Sequence, residues 1–306
     1  MKIKVSAPGK LMLLGEHAVV YGYPCIVTAV DKRLYVEAEI LNQKADEIIT
    51  PQVKESRFVL ESIADFKEKF KVKKSVKVIT NGDFSHNVGL GSSSAVTVAT
   101  FVALSSLFNT TISKREIFDL SYKVNLKIQG VGSGFDIAAA TYGGILYFVS
   151  GGKVIKPLNI DSLSLVVGYS GIKADTPFIV QNLKLKMQND NLKIKFNQIF
   201  KKIDSFVEKA KISLLQKQSS ELGKLMTENH KLLQNLGVST DKLDAMVDAV
   251  LKAGAYGAKL SGAGGGDCMI ALVSQAKKQA VEKAIEKVGG EIINVKNNTE
   301  GVRREK

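Results

Sequence analysis

The sequence predicts an α+β fold in two units, and three observations carry that expectation. Stretches with strand alternation and stretches with helical spacing both recur along the chain. Past Pro177 the texture shifts to lysine-rich amphipathic helices, which puts the boundary between halves near 155–175. Glycine-rich segments sit between strand-like and helix-like runs at 89–91, 130–134 and 262–266. A chain of 306 residues with 45% hydrophobic and 24% charged content can bury a sizeable core and is too apolar for disorder.

The elements follow in order. Ile3, Val5 and Ala7 alternate with polar positions, as do Leu34, Val36, Ala38 and Ile40, so the first 40 residues read as strands around a turn. Phe58, Val59, Ile63, Phe66 and Phe70 have helical spacing over 56–70. Val72, Val76, Val78 and Ile79 predict a strand closed by an Asn81-Gly82 turn. The apolar run after Ser94 reads as a buried helix. Ser113 with Glu116 forms a capping box that opens a helix through about Ile128. A short Ala-rich helix follows Asp136, and strands are expected at 145–149 and 163–169. Helices are expected at 178–188, 191–216 and 219–236, then on the Leu243, Met246, Val247, Val250 face, and last at 276–288. Cys268–Val273 and Ile292, Ile293 and Val295 read as strands, and Arg303–Lys306 as a frayed tail.

Composition narrows the function. Two cysteines without a CxxC argue against a disulfide scaffold and a cysteine zinc site, and they fit a reducing, cytoplasmic setting. His17, His86 and His230 lie far apart in sequence, which disfavours zinc. The N-terminus alternates like a strand rather than a signal peptide. Residues 84–113 lack charged side chains, but their dense apolar part spans only about 14 residues, short of a membrane span. The net charge of +13 raises nucleic acid as a partner. Its lysines are scattered and mostly alternate with apolar residues, without aromatic interleaving, so a field that attracts anionic small molecules is the better reading. Neither nucleic acid nor membrane is expected as a partner.

Gly89-Leu90-Gly91-Ser92-Ser93-Ser94 precedes the buried helix, where free N–H groups and the helix dipole favour an anion. Serines in such a loop also serve simply as caps. The Walker lysine is missing from every glycine loop, and Gly-x-Gly-x-x-Gly fails at Ser94 and again at Asp267. Lys10 follows a Pro8-Gly9 turn and lies near Glu16 and His17, a set suited to an anionic substrate; a solvated lysine and a structural histidine are the plain alternative. Asp136, just past a flexible loop, suits a helix cap or a general base.

Taken together and in order, Pro8-Gly9-Lys10 with Gly15–Gly22, then Gly89–Ser93, then Ser261–Gly266 resemble the three motifs of the GHMP small-molecule kinases. The resemblance spans Lys4 to about Val273. It implies a ribosomal-protein-S5-like nucleotide domain over 1–160 and a ferredoxin-like α/β domain over 161–306. Within the family, 15–22 and Gly134-Phe135-Asp136 with Gly143-Gly144 are most similar to the mevalonate kinases. The resemblance then implies ATP and Mg²⁺ as cofactors, mevalonate as substrate, and admits a homodimer. Asp136 would accept the hydroxyl proton beside Lys10. Asn87, Val88, Gly89, Leu90, Gly91, Ser92, Ser93 and Ser94 would bind ATP, with Ser93 on Mg²⁺. Glu16, His17, Thr176, Gly262, Ala263 and Gly264 would face the substrate and the phosphates.

The match departs from the pattern at three places. Asn125 stands where many mevalonate kinases carry a glutamate that reaches Mg²⁺, eleven residues before the aspartate. Asp267 stands where a glycine is usual, and Ser85 where a proline is common. Asn125 and Asp267 look more like phosphomevalonate kinases, the alternative; His17 and the compact length favour mevalonate. Inactive sensors and diphosphate decarboxylases share the fold resemblance, but Lys10 and Asp136 together argue for a kinase.

Overall fold

The computed structural model describes residues 2–53, 56–85 and 87–305; His86 and the last residue of the expected tail lie outside them. The chain opens with β1 (Lys2–Leu14), a buried 3-10 turn (Ala18–Tyr21) and the long β2 (Pro24–Leu41). β1 and β2 are antiparallel, with register shifts at Pro8/Gly9 and Met12/Leu14. Such shifts bend a strand and re-aim its side chains. After β3 (Glu47–Ile49), α1 (Arg57–Phe70) is capped by Ser56, whose hydroxyl accepts from Val59 N. β4 (Ser75–Gly82) follows and runs through the expected Asn81-Gly82 turn, because Gly82 pairs with Leu34 and leaves room for its side chain.

α2 (Ser92–Leu107) carries no charged residue and is buried over most of its surface, the signature of a surrounded helix. It packs on β1 and β2 and contacts α1, α3 and α4. Its buried threonines turn inward on the helix itself: Thr97 and Thr100 hydroxyls donate to the carbonyls of Ser93 and Val96. α3 (Lys114–Gln129) starts at the Ser113–Glu116 capping box, and α4 (Phe135–Tyr142) at Gly134. The hairpin β5 (Ile145–Val149) and β6 (Val154–Leu158) then joins β2.

β7 (Leu165–Tyr169) begins the second sheet. α5 (Thr176–Lys186) starts earlier than its sequence suggests: Asp175 caps it, accepting from Phe178 N at 3.0 Å, and Pro177 sits in the first turn, where no N–H is missed. α6 (Asp190–Leu215), α7 (Ser219–Asn235) and α8 (Asp241–Lys252) follow, then β8 (Gly257–Ser261), β9 (Cys268–Leu272), α9 (Lys278–Lys287), β10 (Glu291–Ile292) and β11 (Arg303–Arg304). The first sheet orders β11-β1-β2-β4-β3, with β5 and β6 added along β2; the second orders β10-β7-β9-β8. This is a two-domain α+β architecture. We propose the boundary at residue 160, in the connection between β6 and β7.

The C-terminal tail corrects the expectation of fraying. β10 ends early because the chain crosses back to the first sheet, where Arg303 and Arg304 pair with Ser6 and Val5. Arg33, only 4% exposed, anchors this return. Its guanidinium donates to the carbonyls of Ser6, Glu300 and Gly301 and to the Ser6 hydroxyl. Replacing Arg33 by Met leaves these acceptors without a donor. Arg33→Met should lower unfolding stability by about 3 kcal/mol, read as a fall in the urea midpoint with unchanged slope.

Candidate active site

A cavity of about 690 Å³ opens between the two sheets. Such a junction is where enclosed ligand sites form most readily. Its wall holds Lys10 of β1, Glu16 and His17 of the following turn, and Gly89, Gly91, Ser92 and Ser93 at the start of α2. Asp136 of α4, Thr176 of α5, and Gly262 and Ala263 between β8 and β9 complete the lining. The three glycine-bearing segments thus converge.

The glycines are required by close approach. Gly91 caps α2 at φ 78°, and a Cβ there would lie 3.1 Å from Lys10 Cγ, so the lysine stem passes directly over it. Lys10 N–H donates to Leu90 O at 2.9 Å, and Lys10 Nζ donates to Gly89 O at 2.8 Å. The ammonium also lies 5.7 Å from the centre of the Phe135 ring. Gly89, at φ 71°, has room only for hydrogen, because a Cβ would stand 2.5 Å from Asp267 Cγ.

Asp136 is held at both oxygens. Oδ1 accepts from Ile137 N at 3.1 Å, and Oδ2 accepts from the Ser94 hydroxyl at 2.6 Å. Asn125 Nδ2 donates to the same hydroxyl at 3.0 Å.

Several expected residues sit behind the wall rather than on it. Ser94 is fully buried, its hydroxyl turned to Asp136 because the first helical turn rotates it toward α4. Leu90 packs in the core. Val88 offers its carbonyl to the Cys268 thiol at 3.0 Å; burial pushes that thiol up to about 12, so it stays protonated and can donate. Asn87 is exposed, with its N–H on Ser85 Oγ. Gly264 packs against the Val238 backbone, where a Cβ would come within 2.0 Å of the carbonyl.

Glu16 lines the cavity but is 0% exposed, and its carboxylate is already taken. Lys259 Nζ, equally buried, donates to Glu16 Oε1 and to Leu260 O, and Asn229 Nδ2 reaches Glu16 Oε2 at 3.4 Å. Burial raises the Glu16 carboxyl and lowers the Lys259 ammonium, while their mutual attraction opposes both shifts. Sequence reading missed Lys259; its signal is a lysine in the otherwise apolar run around Ala258 and Leu260. His17 Nε2 lies 2.8 Å from Ala263 O. Burial lowers the imidazole to about 4, so a neutral ring donates to that carbonyl.

Asp267 also reaches the cavity. Its Oδ1 accepts from Ala174 N at 3.0 Å, and burial raises its carboxyl against the pull of that N–H, Lys10 and Lys173. Among the described residues, no group of three His, Cys, Asp or Glu side chains could hold a metal alone. The Ser93 hydroxyl on the wall is a hard oxygen donor, which would suit Mg²⁺ that keeps phosphate and water as its other ligands.

Residues 57–144 match the GHMP kinases N terminal domain and 210–291 the GHMP kinases C terminal domain. A mevalonate kinase of Thermococcus sibiricus is 37% identical over 100% of this chain and 99% of its own. The chain belongs to the GHMP kinase family. This GHMP kinase also superposes on L. major mevalonate kinase in complex with R-mevalonate, with TM-score 0.83 and 27% identity over 97% of this chain and 96% of that one. The Streptococcus pneumoniae phosphomevalonate kinase shares the fold, with TM-score 0.83 at 22% identity, over 97% of this chain and 99% of that one.

Two outcomes follow. Glu16→Gln leaves Lys259 as an unpaired buried charge and should cost about 3–5 kcal/mol in chemical denaturation. Adding Lys259→Met should recover most of that loss. His17 binds fewer protons folded than unfolded between its folded value of about 4 and the ordinary 6.5. Stability should therefore fall as pH drops through that window. His17→Gln should flatten this part of a stability–pH curve, while His230, also lowered by burial, leaves a residual slope of the same sign.

Proposed function

We propose that this enzyme transfers the γ-phosphoryl group of ATP to the 5-hydroxyl of mevalonate. The observation that carries the reading is the convergence of Lys10, Asp136, His17 and the α2 N-terminus on one cavity wall. Full-length relatives named mevalonate kinase, at 32–37% identity, support mevalonate over its phosphorylated form. The phosphomevalonate kinase likeness, at 22%, speaks for fold alone.

In this reading the backbone N–H groups at Gly89–Ser93 and the α2 dipole hold the polyphosphate. Asp136 takes the hydroxyl proton as the oxygen–phosphorus bond forms and the bond to the β–γ bridging oxygen breaks, releasing ADP. Lys10, fixed over Gly91 and against Gly89 O, steadies the developing charge. Mg²⁺, when bound with the nucleotide, would supply further charge neutralisation, and Ser93 is the residue that would hold it. His17 and Thr176 face the alcohol. Ser94, Leu90, Val88 and Gly264 shape the site from behind. Free, buried Cys25 and Cys268 support a reducing compartment, the cytoplasm.

A substrate panel tests the reading. Mevalonate should be turned over and 5-phosphomevalonate should not; turnover of only the latter overturns the assignment. Asp136→Asn should lower kcat by roughly 100- to 10,000-fold while ATP binding persists in titration calorimetry. An unchanged kcat removes Asp136 from the role of base.

A further inference from the structure

A chain of hydrogen bonds runs from Asn125 at the cavity wall through Ser94, which is not on the wall, to Asp136. Ser94 is 0% exposed and Asn125 6%, so Ser94 touches no ligand in the cavity. Nor is the Ser94 hydroxyl merely satisfying itself. Thr97 and Thr100, on the same helix, donate to the carbonyls one turn back. The carbonyl one turn before Ser94 is Leu90 O, which already accepts Lys10 N. Ser94 reaches across to α4 instead.

Chemistry fixes the direction of the relay. An ionised carboxylate only accepts, so the single Ser94 proton goes to Asp136 Oδ2. Ser94 Oγ must then accept from its other neighbour, which requires the amide side of Asn125. Among the described residues, that orientation leaves Asn125 Oδ1 buried without a partner. A buried orphan oxygen carries a desolvation cost, and the amide keeps it in order to point its N–H₂ at Ser94. With Ile137 N on Oδ1, the Asp136 carboxylate is gripped from both sides.

We propose that Ser94 is a positioning residue for Asp136, and that Asn125 acts through Ser94 by orienting its hydroxyl. The proposal rests on the reading of Asp136 as the base. The relay fixes the carboxylate rotamer before the alcohol arrives, so proton acceptance needs no reorganisation.

The test compares Ser94→Ala, Ser94→Thr, Asn125→Ala, the Ser94→Ala/Asn125→Ala double variant and Asp136→Asn, with ATP and mevalonate as substrates. Ser94→Ala removes one atom from the core and should melt within a few degrees of the parent. Its kcat should fall roughly 10- to 100-fold, with both KM values within about twofold of the parent. Ser94→Thr, which keeps the hydroxyl, should restore much of the rate. Asn125→Ala should lose less than Ser94→Ala, and the double variant should be no slower than Ser94→Ala alone. Parental kcat in Ser94→Ala overturns the relay, as does a rise in the KM for ATP at unchanged kcat. Multiplying losses in the double variant overturn the claim that Asn125 acts through Ser94. Asp136→Asn separates the two readings: parental turnover there defeats the base, whereas an inactive Asp136→Asn beside a fully active Ser94→Ala defeats only the relay.

Discussion

The Glu16–Lys259 ion pair is the joint on which the site depends. Glu16 belongs to the turn after β1 in the first sheet, and Lys259 to β8 in the second. Both are 0% exposed, so the pair is formed in a medium where either charge alone is strongly disfavoured. Its geometry is therefore close to all-or-none. Around it, Ser261 Oγ accepts from Met12 N at 2.9 Å and donates to Met12 O at 3.0 Å, and His17 donates to Ala263 O. With the ion pair, these contacts tie the end of β1 and the turn that carries His17 to β8 and the last glycine loop. A hydrophobic joint of equal area would hold the sheets together but would not fix their register so sharply.

The middle glycine loop is tied to the same frame. Lys10 is clasped by Leu90 O and Gly89 O, and the Cys268 thiol bonds Val88 O. Each clasp uses a backbone carbonyl of the loop before α2. The effect is to hold that loop from both sheets and leave its N–H groups to the cavity. Asp267 adds a packing limit, since its carboxylate rests against Gly89 and no side chain could replace the hydrogen there.

Much of this was legible in the sequence, for reasons that differ by element. Strand alternation in β1 and β2, the Ser113–Glu116 box and the Leu243–Val250 face are local signals, and local signals survive folding. The order of the three glycine segments announced the family. What escaped was long-range. Arg303 and Arg304 read as a tail because nothing near them in sequence reveals the carbonyls that Arg33 holds. The start of α5 read as residue 178, past Pro177, because its cap, Asp175, precedes the proline. Ser94 read as one of three phosphate serines because sequence lists hydroxyls without their directions. Lys259 went unread because its partner, Glu16, lies far away in sequence.

Charge at the cavity explains why a neutral Asn125 can be accommodated. Among the described residues, Lys10 and Lys173 on the wall face Asp136, Asp175 and Asp267, and Glu16 is neutralised by Lys259. Side-chain charge alone therefore does not attract a polyphosphate to this cavity. In the proposed reading, the attraction comes from fixed dipoles at the start of α2 and from a cation carried in with the nucleotide. The surplus of +13 lies mostly on the outer faces of helices and strands, where it steers anions toward the protein over a distance of about a Debye length. Another acidic side chain at position 125 would add to the aspartates already lining the cavity. An amide there contributes no charge, and its N–H₂ is free to direct the hydroxyl that holds Asp136. Asn125 thus adds no negative charge to a wall that already carries Asp136, Asp175 and Asp267, and it orients the hydroxyl behind Asp136.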